Sequence, residues 1–180
     1  MDKEREISRL IAYANELGIT LDIKENFSTR FKLQKLAFFT KVLYDENIRE
    51  FGLYKRGPYS SDETTLYYGY ADGEITVQQY KVREENKEKL KMIFSEKDEK
   101  VIEGAATVIY LIKNGVLWKN IYTKLKQVKP NLSTSELVDS VNLAKEFMLT
   151  EEKLSEIRKE AREEAEAWEE ASLEDTADTT

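Results

Sequence analysis

The 180-residue chain contains no histidine and no cysteine. Imidazole and thiolate supply most protein ligands of zinc, copper and haem iron, so sites of these kinds are excluded. Hydrolases that need a histidine base and enzymes with a cysteine nucleophile are excluded for the same reason. Carboxylate chemistry assisted by lysine, arginine or tyrosine stays open to the chain. We expect a protein that is not an enzyme and has no metal and no cofactor.

Long apolar runs are missing as well. The longest, residues 104–112, has nine residues, whereas a membrane helix needs roughly 18. The chain opens with Met1-Asp2-Lys3-Glu4 and has no apolar signal region behind it. We therefore expect no membrane association. A cytoplasmic location fits the lack of cysteine.

The composition predicts a folded body with a charged extension. Hydrophobic residues make up 41 % of the chain, which is enough for a single core. Residues 150–180 carry twelve acidic and four basic side chains, whereas residues 1–149 carry 23 and 24. The pattern predicts one compact domain over residues 1–149, a charged helix over 150–171 and a disordered acidic tail over 172–180.

Apolar periodicity predicts a mainly helical α+β fold. Residues 4–80 follow the order helix, helix, strand, helix, strand, with strands expected over 50–54 and 74–80. This order resembles a winged-helix module with a two- or three-stranded sheet, and a helical part should follow over 81–149. Helix starts are expected at Ser28 or Thr29, Ser60, Ser95 and Ser133, and the last three have an acidic residue three positions later.

The most specific signal is a pair of short motifs with the first predicted strand between them. These are Lys32-Leu33-Gln34-Lys35-Leu36 and Gly57-Pro58-Tyr59-Ser60. The pairing resembles the Panacea (SocA-like) domain and the related YwgA-like proteins over residues 28–80. The resemblance implies an antitoxin-like protein from a mobile or phage-related locus. It would neutralise or regulate a protein partner, such as a toxin, by direct contact.

The motif residues also have a physical interpretation. Leu33 and Leu36 suit the core, but packing does not explain Lys32, Gln34 or Lys35, whose long side chains can donate to carbonyls of the Gly57–Ser60 turn. Such bonds either hold the turn alone or also build a platform for a partner. The candidate partner-binding residues are Lys32, Gln34, Lys35, Tyr54, Lys55, Arg56, Gly57, Pro58, Tyr59 and Ser60.

Tyrosines are dense in the same half of the chain. They stand at Tyr54, Tyr59, Tyr67, Tyr68, Tyr70 and Tyr80. A tyrosine combines a large contact area with one polar atom, which suits a binding surface. Half-buried core tyrosines are the alternative interpretation for most of the six.

Basic windows allow a different function, a winged-helix transcriptional regulator that binds DNA. One window has no acidic residue and contains Lys113, Lys119, Lys124, Lys126 and Lys129. A second, residues 24–56, has eight basic and four acidic residues. Such patches can neutralise phosphates, but a solvated helix face produces the same pattern. The sequence leaves this choice and the oligomeric state open.

Overall fold

The computed structural model describes residues 3–149 and 151–177. Within them the chain forms a mainly helical fold with one small sheet, as predicted. The elements are α1 Lys3–Glu16, α2 Phe27–Leu43, β1 Gly52–Tyr54, β2 Gly57–Tyr59, α3 Ser61–Ala71, α4 Glu84–Phe94, α5 Glu99–Lys113, a 3-10 helix Trp118–Asn120, α6 Ile121–Val128, α7 Thr134–Met148 and α8 Glu151–Ala177. Over the described ranges, no helix combines the length and the apolar character needed to cross a bilayer.

The chain divides into two compact units between Phe147 and Met148. The second unit contains α8, a charged helix with an ion pair of 2.7 Å between Lys153 and Glu156. Because α8 runs to Ala177, residues 172–177 are helical where the sequence predicted a disordered tail. Residues 178–180 lie outside the described part of the chain.

Helix α2 is the centre of the first unit. It packs against α1, α3, α4, α5 and β2. Its residues Leu33, Leu36, Phe38 and Phe39 are fully buried, so the helix is apolar on several sides. Because other elements pack around it, α2 is a rigid support for the side chains that project from it.

Two helix starts differ from the prediction. Asn26, not Ser28 or Thr29, caps α2, because its side-chain oxygen accepts from Ser28 N at 2.9 Å and from Thr29 N at 3.3 Å. At α5 the cap is Asp98 and not Ser95. An Asn or Asp just before the first turn offers a carbonyl or carboxylate oxygen to the same unpaired amides as a serine.

The predicted capping box at the start of α7 is confirmed. Ser133 N donates to Glu136 Oε2 at 2.6 Å, and Glu136 N donates to Ser133 Oγ at 3.2 Å. At α3 the structure forms half of the predicted box, since Ser60 Oγ accepts from Glu63 N at 3.2 Å. The Glu63 side chain is used elsewhere.

The sheet is an antiparallel hairpin of β1 and β2, and Tyr54 pairs with Gly57. The chain therefore reverses at Lys55 and Arg56, whereas the sequence placed the turn at Gly57 and Pro58. Gly57 has a φ of 84°, in the left-handed region that favours glycine and closes tight hairpins. Pro58 is compatible with this short strand, which has only one neighbour.

The predicted strand over residues 74–80 does not form. Instead, the amides of Glu74 and Ile75 donate to Gly69 O at 2.9 and 3.1 Å, which closes the end of α3. Further along, Gln78 N donates to the side chain of Ser8 in α1 at 2.9 Å. The alternation of apolar residues thus reflects an extended segment lying on helices, not pairing with a strand.

Helices α5 and α7 meet where Gly104 faces Ser140. A Cβ placed on Gly104 would lie 2.0 Å from Ser140 Oγ and 2.6 Å from Ser140 Cβ. Ser140 Oγ also donates to Glu136 O at 2.6 Å, which holds its side chain in place. This close approach needs glycine at position 104.

We predict that Gly104→Ala lowers the free energy of unfolding by about 2 kcal/mol, because the overlap with Ser140 exceeds the gain in helix propensity. Urea denaturation of the full chain measures this. Ser140→Gly in the same chain removes both overlapping atoms. The decrease in the free energy of unfolding should therefore be smaller in the double variant than the sum of the decreases in the two single variants. Strictly additive decreases would contradict the packing argument.

Candidate functional site: a cationic aromatic pocket beside the hairpin

The hairpin is tied to α2 by two buried side chains. Lys35 Nζ donates to Pro58 O at 2.8 Å. Gln34 Nε2 donates to Ser60 O at 2.8 Å, and Ser60 N donates back to Gln34 Oε1 at 3.0 Å. Away from water such bonds are strong and their loss is costly. The predicted contact of Gln34 and Lys35 with the Gly57–Ser60 segment is confirmed.

Lys32 does not take part in this contact. Its half-buried side chain lies near Asn26 and Phe94, beside the connection that leads into α2. Two helical positions correspond to a rotation of about 200°, so Lys32 and Gln34 face different sides of α2. The prediction that Lys32 supports the turn is wrong.

A third buried side chain holds the other end of the hairpin. Lys129, only 4 % exposed, donates through Nζ to Lys55 O at 2.5 Å and to Tyr54 O at 3.3 Å. It also forms an ion pair of 2.6 Å with Glu103 Oε1 of α5. The sequence placed Lys129 in a basic window for nucleic acid, and this placement is wrong because the side chain is internal. Its position directly after the last apolar residue of α6 was the available signal.

A pocket of about 510 Å³ opens between the hairpin, α2 and α3. This volume is in the range of small-molecule sites. Its lining has aromatic, polar and cationic side chains and no Asp or Glu: Phe27, Arg30, Phe31, Gln34, Lys35, Tyr54, Lys55, Arg56, Gly57, Tyr59, Thr64, Tyr67 and Tyr68. We call this site the hairpin pocket.

The aromatic walls of the hairpin pocket are ordered by mutual contacts. The rings of Tyr54 and Tyr59 meet edge to face, with 5.2 Å between centroids. Thr64 Oγ1 lies 3.0 Å from Tyr59 OH and 3.2 Å from Tyr67 OH, and it accepts a hydrogen bond from Gln34 Nε2 at 2.7 Å. The wall on the α3 side is therefore linked to the same glutamine that braces the hairpin.

Lys35 brings a cation into the pocket without a counter-ion. It is 2 % exposed and forms no ion pair within the described residues; Glu103, whose charge acts on it, is paired with Lys129. The pKa of Lys35 is lowered to about 7: burial is the largest cause, the charge of Glu103 opposes it, and the charges of Lys129 and Arg56 act in the same direction as burial. Lysine is seldom buried in this way unless it is paired.

Aromatic and cationic groups surround the pocket mouth, and all of them except the half-buried Arg30 are exposed. Phe27 is 52 % exposed and Tyr54 61 %. The guanidinium carbon of Arg56 lies 5.1 Å from the centre of the Phe27 ring, and that of Arg30 lies 5.7 Å from it. These residues, together with the exposed Lys55, form a surface that we call the hairpin face.

The predicted partner-binding residues thus have two different positions. Tyr54, Lys55 and Arg56 are exposed and Tyr59 is half-buried, so they are open to a partner. Lys32 lies away from the hairpin. The remaining predicted residues are buried and belong to the hairpin or hold it in place: Gln34, Lys35, Gly57, Pro58 and Ser60. Sequence reasoning missed Phe27, Arg30 and Phe31. Their place within five residues before the Lys32–Leu36 motif was the signal for them.

A second charged cluster lies elsewhere on α2. Lys41 is 3 % exposed in its side chain and forms ion pairs with Glu6, Glu50 and, at 3.1 Å, Glu63. Burial acts to lower the pKa of Lys41, but hydrogen bonds to Glu50 and Glu6 raise it above its ordinary value. The pKa of Glu63 is raised to about 8, chiefly by burial and then by the charge of Glu6, while the ammonium of Lys41 opposes the shift.

The same three glutamates have carboxylate oxygens within 4.8 Å of one another, close enough to hold a metal ion. The ammonium of Lys41 already lies among them. A divalent cation would therefore have to displace a paired lysine, and the donor set fits an internal ion network better than a metal site.

The rest of the basic window stays at the surface. Lys119, Lys124 and Lys126 are exposed. Lys113 lies 3.5 Å from Asp45 Oδ1. With Lys129 turned inward, the window presents fewer free cations than the sequence suggested.

Comparison with known proteins gives no match to a protein-family model, to a curated protein or to a solved structure.

The bracing role of Gln34 gives a prediction. Gln34→Ala leaves Ser60 N and Ser60 O without their buried partner, and we expect the free energy of unfolding to fall by about 2–3 kcal/mol. Urea denaturation measures the loss. Lys32→Ala, on the same helix but away from the hairpin, is the control and should change stability by about 0.5 kcal/mol or less. Equal losses in the two variants would contradict the role of Gln34.

The buried charge of Lys35 gives a second prediction. The unfolded chain has a lysine with the ordinary pKa of 10.5, and the folded chain has one of about 7. Between these values the folded state binds fewer protons, so the contribution of Lys35 to the free energy of unfolding rises with pH. The free energy of unfolding of the wild type minus that of Lys35→Met, each measured by urea denaturation, should increase from pH 7 to pH 9.5. A difference that does not change with pH would contradict this.

Proposed function

We propose that this chain is a non-enzymatic protein-binding module of the cytoplasm, which regulates or neutralises a partner protein by contact through the hairpin face. The observation that carries the proposal is the combination of a braced hairpin with exposed Tyr54, Phe27 and Arg56 at its side. Tyrosine, phenylalanine and arginine are enriched where protein partners bind. The antitoxin-like role comes from the resemblance of the two motifs to Panacea domains.

The charge of the hairpin face indicates what kind of partner surface fits. Arg30, Lys55 and Arg56 lie at the pocket, and its lining includes no carboxylate. An acidic patch that carries an apolar side chain would complement this surface, and opposite charges would speed association. Because Gln34, Lys35 and Lys129 hold the hairpin from inside, little conformational entropy is lost when a partner binds.

The alternative, a winged-helix regulator that binds DNA, has less support. The segment 74–80, which would act as wing, lies on helices without a strand partner. Lys129 is internal, and Lys113 is close to Asp45. Lys113, Lys119, Lys124 and Lys126 are left as the exposed cations of that window.

Photo-crosslinking in the native host tests the proposal. We predict that p-benzoylphenylalanine in place of Tyr54 gives one dominant protein adduct. The same group in place of Tyr122, also exposed but on α6, is the control and should not give that adduct. Equal adduct patterns at both positions, or none at Tyr54, would contradict the hairpin face as the contact surface.

The crosslinked partner then allows a quantitative test. With that partner purified, Arg56→Glu should weaken binding by about tenfold or more, because it reverses a charge in the contact. Lys126→Glu makes the same charge change on α6 and should alter the dissociation constant by less than about twofold. Isothermal titration calorimetry provides both values.

A further inference from the structure

We propose that the hairpin pocket is also a binding site for a small aromatic carboxylate, whose carboxylate pairs with the buried ammonium of Lys35 while its ring lies between the tyrosine and phenylalanine walls. This ligand is a free small molecule and is separate from the protein partner of the hairpin face. The experiments below use no protein partner, so their failure and the failure of the proposed function are distinguishable.

The first argument is the unsatisfied charge at the bottom of the pocket. An ammonium has three N–H donors, and the hydrogen bond of Lys35 inside the described part of the chain goes to Pro58 O at 2.8 Å. The ring of Phe31 lies 5.1 Å from Nζ and offers a weak interaction. A carboxylate reaching Lys35 would supply the missing counter-ion and accept the remaining donors.

The second argument concerns the charge and size of the anionic group. Gln34 is fully used, since its amide donates to Ser60 and Thr64 and accepts from Ser60 N. Arg30, Lys55 and Arg56 lie at the pocket mouth, so the cationic donors at its buried end are those of Lys35, which suits a single negative charge. A phosphate dianion needs more donors than one ammonium provides.

The third argument concerns the body of the ligand. Phe31, Tyr59, Tyr67 and Tyr68 line the pocket, and an aromatic lining favours a planar apolar group. A peptide inserted here would bring main-chain N–H and C=O groups into an aromatic environment that offers them few partners. A free aromatic acid has no such groups, and 510 Å³ holds one.

Phenylacetate and its neutral isostere phenylacetamide are the probes for the first experiment. Titration of the full chain, followed by amide NMR shifts, should give a dissociation constant for phenylacetate of about 1 mM or tighter, as expected for a ligand of its size. The shifts should centre on Gly57–Tyr59. Phenylacetamide should bind about tenfold more weakly, because it lacks the charge. Shifts centred elsewhere, or equal affinities, would overturn the proposal.

Variants and pH provide a second readout. Lys35→Met should weaken phenylacetate binding about tenfold and leave phenylacetamide unchanged, while Lys32→Met should affect neither. If Lys35→Met does not fold, the pH dependence of phenylacetate binding to the wild-type chain still tests the proposal.

The charged groups that face Lys35 are Glu103, Lys129 and Arg56, and the pKa of Lys35 in this largely buried position is about 7. Phenylacetate should therefore bind about tenfold more weakly at pH 9 than at pH 6, and an affinity independent of pH would overturn the proposal.

Two further probes check the chemical class. Phenyl phosphate should bind no more tightly than phenylacetate at pH 7. A blocked tripeptide that ends in phenylalanine with a free carboxylate should bind more weakly than phenylacetate. A tenfold preference for phenyl phosphate would overturn the assignment to a carboxylate, and a tenfold preference for the tripeptide would overturn the assignment to a small molecule.

Discussion

The hydrogen bond from the buried ammonium of Lys35 to the carbonyl of Pro58 is the interaction on which the candidate site depends. A two-stranded hairpin is marginally stable by itself, so β1 and β2 need support from the rest of the fold. Lys35 and Gln34 supply it from α2, and Lys129 supplies it from the end of α6. Because α2 is packed against other elements on several sides, its bonds to Pro58 and Ser60 hold the hairpin in a fixed position.

Two buried lysines on α2 show how differently the same side chain can be used. Lys41 lies among three glutamates, so its charge is compensated inside the protein. Lys35 is six residues earlier and equally buried, but its neighbours include Arg56 and Lys129, and Glu103 is engaged with Lys129. Burying an uncompensated charge costs stability. In this fold the uncompensated charge of Lys35 lies beside an aromatic pocket, which is the basis for the proposed anion site.

Most helices were predictable because their apolar residues recur with helical spacing, for example along the 14 residues of α1 and the 15 residues of α5. The contact of Gln34 and Lys35 with the Gly57–Ser60 segment was predictable as well, since long polar side chains in an otherwise apolar helix need partners. The strand over 74–80 was a wrong prediction, because Ile75 and Val77 alternate in the same way whether an extended segment pairs with a strand or lies on helices. The hairpin was missed because Pro58 suggested a turn, while the left-handed glycine at Gly57 marks the end of a turn that begins at Lys55.

The sequence by itself determined the mainly helical class, the apolar faces and the lack of imidazole and thiol chemistry, since these follow from residue types and local spacing. The tertiary structure decided which lysines are internal. Lys32, Lys35, Lys41 and Lys129 look alike along the chain, yet three of them are buried, and each has a different electrostatic environment. The reason is physical: burial and charge compensation depend on groups from distant segments, such as Glu6 for Lys41 and Pro58 for Lys35, and no local pattern carries that information.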